Sequence, residues 1–436
     1  MKNKYIILPS NSDLNRGDQA LVWETMALSK DSGNAGDYYM LKSGEESTVQ
    51  SEAIGLMPIS PILKHPSRKF KSKENNEYNV SLLIKWGSVA ILDFIFSFLL
   101  LSKFTRVLLS PLLPSKVKET MRIINECDSC FVKGGGFIHT TGKLTDLYIV
   151  YFQLFHVMLA QSLGKPVYVM PNSFGPFKGI GVSWLVRRVL KRCELVSVRE
   201  TISLAMLQDI GVEGDLFPDL GFSLSKGNSK IKDVDNIRDR YPNRIIVAIT
   251  ARPYRFPGSA NPKTMYSEYM NSIVTFSKWL YNNNYLPVFI EHTLSETTHE
   301  NDGTAIAEII ANLTEGEYEL IQNDDYTCRD LKEIYSQFDY VVGTRFHSVI
   351  FSMSERIPSI ALEYGGNKGA GIMNDMELSN LGIPIEEVSS RRLIEAFEYL
   401  VENKNEVIFK IERYMGLVDS KRIEMLNILQ ERRKGR

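Results

Sequence analysis

Gly343-Thr344-Arg345-Phe346-His347 follows a short apolar run, 340–342, that reads as a strand, and a helix opens behind it. An arginine, an imidazole and a helix N-terminus at one point are what a phosphate or carboxylate requires. Further on, Glu363-Tyr364-Gly365-Gly366-Asn367-Lys368-Gly369 again follows a strand and sets Lys368 on a glycine-rich turn. An isolated lysine is an ordinary solvated charge. Two successive strand ends that deliver cations to one side of a sheet point instead to an anion site. Arg199, in Ser197-Val198-Arg199-Glu200, closes a third such strand. It can reach a cleft there, although pairing with Glu200 would satisfy it equally well.

Asn15-Arg16-Gly17-Asp18 lies between the first strand and a helix. Gly17 would let the backbone approach a ligand, and Asp18 reads either as the helix N-cap or as a substrate contact. Gly134-Gly135-Gly136 directly follows another strand. Three glycines in succession are costly in backbone entropy, so they imply close approach of a ligand or chain segment, with N–H groups free to cradle an oxyanion. The run matches neither a P-loop nor a dinucleotide fingerprint. His139, just beyond, is an acid, base or hydroxyl ligand on this reading and a solvated loop histidine on the plainer one. The stretch Asn172-Ser173-Phe174-Gly175-Pro176-Phe177 reads as a tight loop, structural by default, whose Asn172 and Ser173 could bond a sugar hydroxyl.

These residues need strand ends to hold them. Strands are expected at 5–8, 129–133, 166–170, 195–198 and 215–217, with helices at 18–30, 145–163, 182–191 and 201–210. A polar stretch at 225–240 reads as a linker. A second set follows, with strands at 244–250, 287–291, 319–321, 340–343 and 359–362 and helices at 266–282, 302–312, 328–337 and 347–356. A charged helical tail covers 389–434. Strands alternating with helices specify βαβ units. The expected fold is therefore α/β: two doubly wound Rossmann-like domains, 1–230 and 231–436, facing a cleft, with a helical C-terminal tail. Ligands of such sheets sit outside the carboxyl ends of the strands.

Across 436 residues, 51 basic and 52 acidic side chains give a net charge of −1, and 44% of positions are hydrophobic. That excludes a disordered chain and argues against nucleic acid as a partner, while leaving room for a local basic pocket. Cys127, Cys130, Cys193 and Cys328 are too few for a disulfide scaffold and read as buried, reduced thiols; the C-x-x-C lacks a second ligand pair, so no metal is expected. The most apolar stretch, 89–101 within a block at 82–114, is short for a membrane span and contains Asp93. It reads either as a buried helix of an insertion or as a patch flanked by Lys85, Lys103, Arg106, Lys116 and Lys118 that rests on a membrane surface.

Taken in order, the pieces resemble the polysaccharide pyruvyl transferase family. They are the N-x-G-D stretch Asn15 to Asp18, the run Gly134 to Gly136, the Asn172 to Phe177 segment, Ser197-Val198-Arg199-Glu200, Asp219 after Phe217-Pro218, the R-x-H of Arg345 to His347, and the E-Y-G-G-N-K ending at Lys368. The resemblance implies a fold like that of the two-domain glycosyltransferase-B enzymes. It also implies transfer of a pyruvyl unit from phosphoenolpyruvate to a sugar of a surface polysaccharide or its lipid-linked precursor, usually as a cyclic ketal. Arg199, Arg345 and His347 match family positions associated with phosphoenolpyruvate, and Lys368 adds a further cation. His347 then acts as acid or phosphate partner, and Asp18 or His139 assists the acceptor hydroxyl. No cofactor is required. The first domain would bind the acceptor and the second would contribute to the donor site, in the cytoplasm or at the inner face of the membrane. Phe346 stands where leucine is common, and Asp219-Leu220-Gly221-Phe222 departs from the usual D-P-A-F, which leaves Asp219 without a secure role. A nucleotide-sugar glycosyltransferase and a non-catalytic glycan-assembly protein are the alternatives.

Overall fold

The computed structural model describes residues 2–64, 80–143, 145–227, 232–295 and 300–434. Its first sheet is built from β1 (Asn3–Asn11), β2 (Gly36–Lys42), β3 (Leu56–Ile59), β4 (Ser129–Val132), β5 (Gly135–Ile138), β6 (Val167–Phe174), β7 (Leu195–Val198) and β8 (Asp215–Leu216). They run in the order β3-β2-β1-β4-β6-β7-β8, with β5 paired to β6, and the pairings are parallel. The second sheet comprises β9 (Ile245–Thr250), β10 (Tyr285–Ile290), β11 (Glu319–Ile321), β12 (Tyr340–Gly343), β13 (Ser359–Glu363) and β14 (Gly382–Pro384), also parallel, in the order β11-β10-β9-β12-β13-β14. Central strands such as β4 and β12 are buried along their whole length, as continuous apolar runs in a parallel sheet covered on both faces must be. In each sheet the order reverses beside the first strand, between β1 and β4 and between β9 and β12, which opens a crevice at the carboxyl ends. Two such domains with C-terminal helices form a glycosyltransferase-B-like fold.

The last helix, Lys404–Lys434, returns to the first domain. Its Arg422 reaches Glu24 at 3.2 Å and Asp31 at 3.0 Å on the helix Arg16–Asp31. One apolar core runs from the inner face of the first sheet through the second domain, and a separate core fills the first sheet's outer face.

Several expectations are corrected. The 172–174 segment is the end of β6, fully buried, because strand pairing with β5 and β7 takes up its backbone. Gly135 and Gly136 likewise begin β5 instead of forming an open loop. The 225–240 stretch contains the helix Asp233–Arg240, anchored by buried Val234 and Ile237. The boundary expected at 230 lies outside the described residues. β2, β3 and β14 were not expected, since they are short or lack β-branched runs. The apolar helix Val80–Leu101 is not a core helix: its 18-residue stretch Ile84–Leu101 is only 11% buried. It meets the helix Asp146–Ser162 along a narrow seam through Ser97 and Leu100, where the Ser97 hydroxyl bonds the Tyr151 hydroxyl at 2.8 Å. Cys127 and Cys130 are buried free thiols.

Candidate active site

Between the two rows of strand ends lies a cleft of about 310 Å³. From the first sheet it is lined by Asn15 and Asp18 after β1, Gly135, Gly136 and His139 around β5, Ser173 on β6 and Arg199 after β7. From the second come His292 after β10, Arg345 and His347 after β12, and 362–369 at the end of β13 and beyond it. The halves are bonded across the cleft. Asn367 Nδ2 donates to the Phe174 carbonyl at 2.8 Å, the Leu294 N–H to the Leu14 carbonyl at 2.9 Å, and the Thr201 N–H to Asp375 at 2.9 Å.

Both arginines are buried and braced by carboxylates. Arg199 donates through Nη1 to Asp219 at 2.7 Å and through Nε to the Ser173 hydroxyl at 2.7 Å, which passes a bond of 2.8 Å to Glu200. Asp219 therefore has a defined place: it holds Arg199, accepts the Gly221 N–H at 2.8 Å and stands 3.8 Å from His347 Nε2. The expected Arg199–Glu200 pairing exists at 3.6 Å but is the looser of the two. Arg345 caps the helix Phe346–Ser354 and donates through Nε to Asp302 at 2.7 Å and through Nη2 to the Glu300 carbonyl at 2.7 Å. Burial opposes its charge, but Asp302 outweighs that and holds the guanidinium above its ordinary range. These contacts leave Arg345 Nη1 and Arg199 Nη2 uncommitted.

Lys368 has no such brace, and His347 has only the looser approach of Asp219 at 3.8 Å. Lys368 Nζ sits against the imidazole, 3.1 Å from Nε2 and 3.3 Å from Nδ1. Burial, followed by Arg199, pushes the lysine down to about 7. Burial, followed by Lys368, drives His347 well below its usual value, so the ring is neutral. Gly17 is packed onto that ring. A Cβ there would collide with His347 Nδ1, so this glycine makes room for a site histidine and not for a ligand.

Asn15 is the N-cap of the first helix, accepting the N–H groups of Gly17 and Asp18. Asp18 is thus not the cap. It lies in the first turn and accepts Lys133 Nζ at 2.6 Å. Burial works against its charge, but Lys133 prevails and holds the carboxyl below the usual range. His139 is exposed at the rim, with Nδ1 2.8 Å from the Gly136 carbonyl. A carbonyl only accepts, so Nδ1 carries the proton and a neutral ring keeps its lone pair on Nε2.

Gly134 and Asn172 do not line the cleft. Gly134 passes under the Pro171 carbonyl, which a Cβ would approach to 2.9 Å. Asn172 is fully buried, and its amide N–H groups tie the Lys133 and Met170 carbonyls at 2.8 Å each, so it braces strand ends and does not bond sugar. Two residues were missed. Lys133 is the last residue before the glycine run. His292 stands two residues beyond the end of β10; it is 1% exposed, lines the cleft and has an Nε2 without a partner. Attention to every residue at a strand's carboxyl end would have found both. No group of three metal-ligating side chains occurs among the described residues.

The arrangement is a cradle for a small, multiply charged anion beside hydroxyl-binding groups. Over residues 48–366 the chain matches the family model described as polysaccharide pyruvyl transferase. The chain belongs to the polysaccharide pyruvyl transferase family. This pyruvyl transferase is 21% identical over 307 residues to the amylovoran biosynthesis protein AmsJ of Erwinia amylovora, covering 69% of the chain and 72% of that protein. In fold it is similar to HepE of Anabaena, solved with UDP and glucose, at a TM-score of 0.55 and 11% identity over 100% of this chain and 99% of that one. It is similar too to the UDP-GlcNAc 2-epimerase of Methanocaldococcus jannaschii, at a TM-score of 0.53 and 11% identity over 91% and 92% of the two chains. Identities this low carry the fold alone. The family match begins after Asn15 to Asp18 and ends before Lys368, yet the pyruvyl transferase cleft includes both.

Proposed function

We propose that the cleft binds phosphoenolpyruvate and transfers its pyruvyl unit to two hydroxyls of a glycan as a ketal. The observation that carries this reading is the convergence of Arg199, Arg345, Lys368 and His347, from strand ends of both sheets, on one cleft in a member of this family. The donor's carboxylate and phosphate need several cations with directed N–H groups, which the two braced arginines supply. Protonated Lys368 adds charge, and the partnerless His292 Nε2 adds one more polar contact.

The reaction needs an acid for the donor's methylene carbon and bases for two hydroxyls. The Lys368–His347 pair delivers the proton, turning the methylene into a methyl and leaving an oxocarbenium centre at the adjacent carbon. One acceptor hydroxyl adds there and loses its proton to His139 Nε2, while Asp18 orients the sugar. The C–O bond to phosphate then breaks, its electron pair leaving with inorganic phosphate, and the second hydroxyl closes the ketal, its proton returning to the Lys368–His347 pair that the first step left deprotonated. Arg199 and Arg345 stabilise the departing phosphate. The acceptor is a polysaccharide unit. Incubation with phosphoenolpyruvate and oligosaccharide should release phosphate, and release of a nucleoside diphosphate from a sugar nucleotide instead would overturn the reading.

A further inference from the structure

The apolar helix Val80–Leu101 does not stand alone. The helix Lys103–Leu109 and the turn after it add Phe104, Val107, Leu108 and Leu112, the last two 68% and 81% exposed. A separate part of the chain adds Ile180 at 93% and Trp184 at 64%, on and before the helix Val182–Leu190. The first and last of these parts flank a groove of about 410 Å³, floored by the helix Asp146–Ser162, with Phe94, Phe98, Leu147 and Trp184 on its walls and Arg188 and Arg192 beside them. Exposed apolar surface of this extent marks an interaction site.

Charge identifies the partner. Segments 84–118 and 178–192 contain Lys85, Lys103, Arg106, Lys116, Lys118, Lys178, Arg187, Arg188, Lys191 and Arg192 against one acidic residue, Asp93. Ten minus one gives +9 in a chain whose total is −1, so the rest of the molecule carries −10. All ten but Arg106 are exposed. Arg188 lies 5.6 Å from the Trp184 ring, a cation and an indole side by side at the edge of an apolar face. Apolar side chains with Trp and basic residues at their border suit the headgroup level of an anionic bilayer. A second copy of this chain would meet +9 with +9.

We infer that this face docks peripherally on an anionic membrane surface, with the groove receiving a lipid tail and Arg188 and Arg192 its phosphate. The cleft lies close by. Gly175 lines it, and Ile180 is five residues further, at most about 18 Å away. The loop holding His139 leads directly into the helix Asp146–Ser162, whose Leu147 walls the groove, and the Thr140 hydroxyl donates to the Lys178 carbonyl at 2.6 Å. Docking therefore presents the cleft to a sugar carried on a membrane lipid; that acceptor class rests on the function proposed above, whereas docking itself does not.

The test is co-sedimentation of the purified full chain with phosphatidylglycerol/phosphatidylethanolamine vesicles and with phosphatidylcholine vesicles. Binding is expected to the anionic vesicles, weakening as salt is raised. The variant Arg188→Glu/Lys191→Glu/Arg192→Glu should lower it by roughly tenfold or more. Trp184→Ser/Phe104→Ser should lower it while leaving the melting temperature and phosphate release with a soluble acceptor unchanged, which separates this proposal from the donor chemistry. Equal binding to neutral vesicles, no binding to either, or concentration-dependent dimers that Trp184→Ser/Phe104→Ser dissolves would each overturn it. So would resistance to extraction at alkaline pH, which would mean a spanning helix.

Discussion

Lys368 Nζ rests on the imidazole of His347, within 3.3 Å of both ring nitrogens, and no carboxylate of the described residues lies within ion-pairing distance of that amine. Two basic groups in contact, both desolvated, resist protonation until an anion arrives. Arg199 and Arg345 are the reverse, each paired with an aspartate at 2.7 Å. The cleft thus has a permanent half and a half that charges on demand.

This arrangement makes donor binding pH-dependent. Lys368, at about 7 in the free protein, is largely neutral above that pH and must take up a proton to hold the anion. Affinity for phosphoenolpyruvate should be level below pH 7 and weaken by about tenfold per unit above it, until the pKa of the complex is reached. Calorimetry in buffers of different ionisation enthalpy should report proton uptake at pH 7.5 or so, and Lys368→Met should abolish it. Affinity independent of pH from about 7 to 9 would sink the assignment.

Asp219 is the brace of a buried arginine that is 1% exposed. Asp219→Ala leaves Arg199 desolvated and poorly paired and should cost about 3–5 kcal/mol in urea unfolding. Arg199→Met/Asp219→Leu should recover most of that stability yet remain inactive.

Gly17→Ala places a methyl where His347 Nδ1 stands. The ring must move. Since a misplacement of about 1 Å costs roughly a hundredfold in rate, kcat/KM should fall at least that far while circular dichroism stays native. Wild-type kinetics in this variant would show that His347 has no positional role.

His139 is exposed, so His139→Ala should leave stability intact. As acceptor base its loss should lower kcat by about 10²- to 10⁴-fold with no change in donor affinity. A parallel loss of phosphoenolpyruvate binding, measured by calorimetry, would move His139 to the donor side.

The strands that carry the site were legible because parallel strands buried on both faces are continuous apolar runs, as at β4, β7 and β12. β14, three residues with a proline, carries no such signal. The cations at Arg199, Arg345 and Lys368 could be placed because the sheet rule puts ligands at strand ends. Their partners could not: Asp302 lies 43 residues from Arg345 and Asp219 lies 20 from Arg199, and only folding brings them together. The state of Lys368 was equally hidden, since it depends on burial and on Arg199 arriving from the other domain. The helix Val80–Leu101 shows the limit of hydropathy, which does not distinguish a helix covered by protein from one left bare.

The most direct test is the reaction itself, run in deuterated water with phosphoenolpyruvate and an oligosaccharide acceptor and followed by NMR. Protonation of the methylene carbon requires a ketal whose methyl group carries one solvent deuteron, one inorganic phosphate released per ketal, and neither product with Arg345→Ala. Phosphate release without a ketal, a ketal methyl free of deuterium, or turnover only with a nucleotide sugar would contradict it.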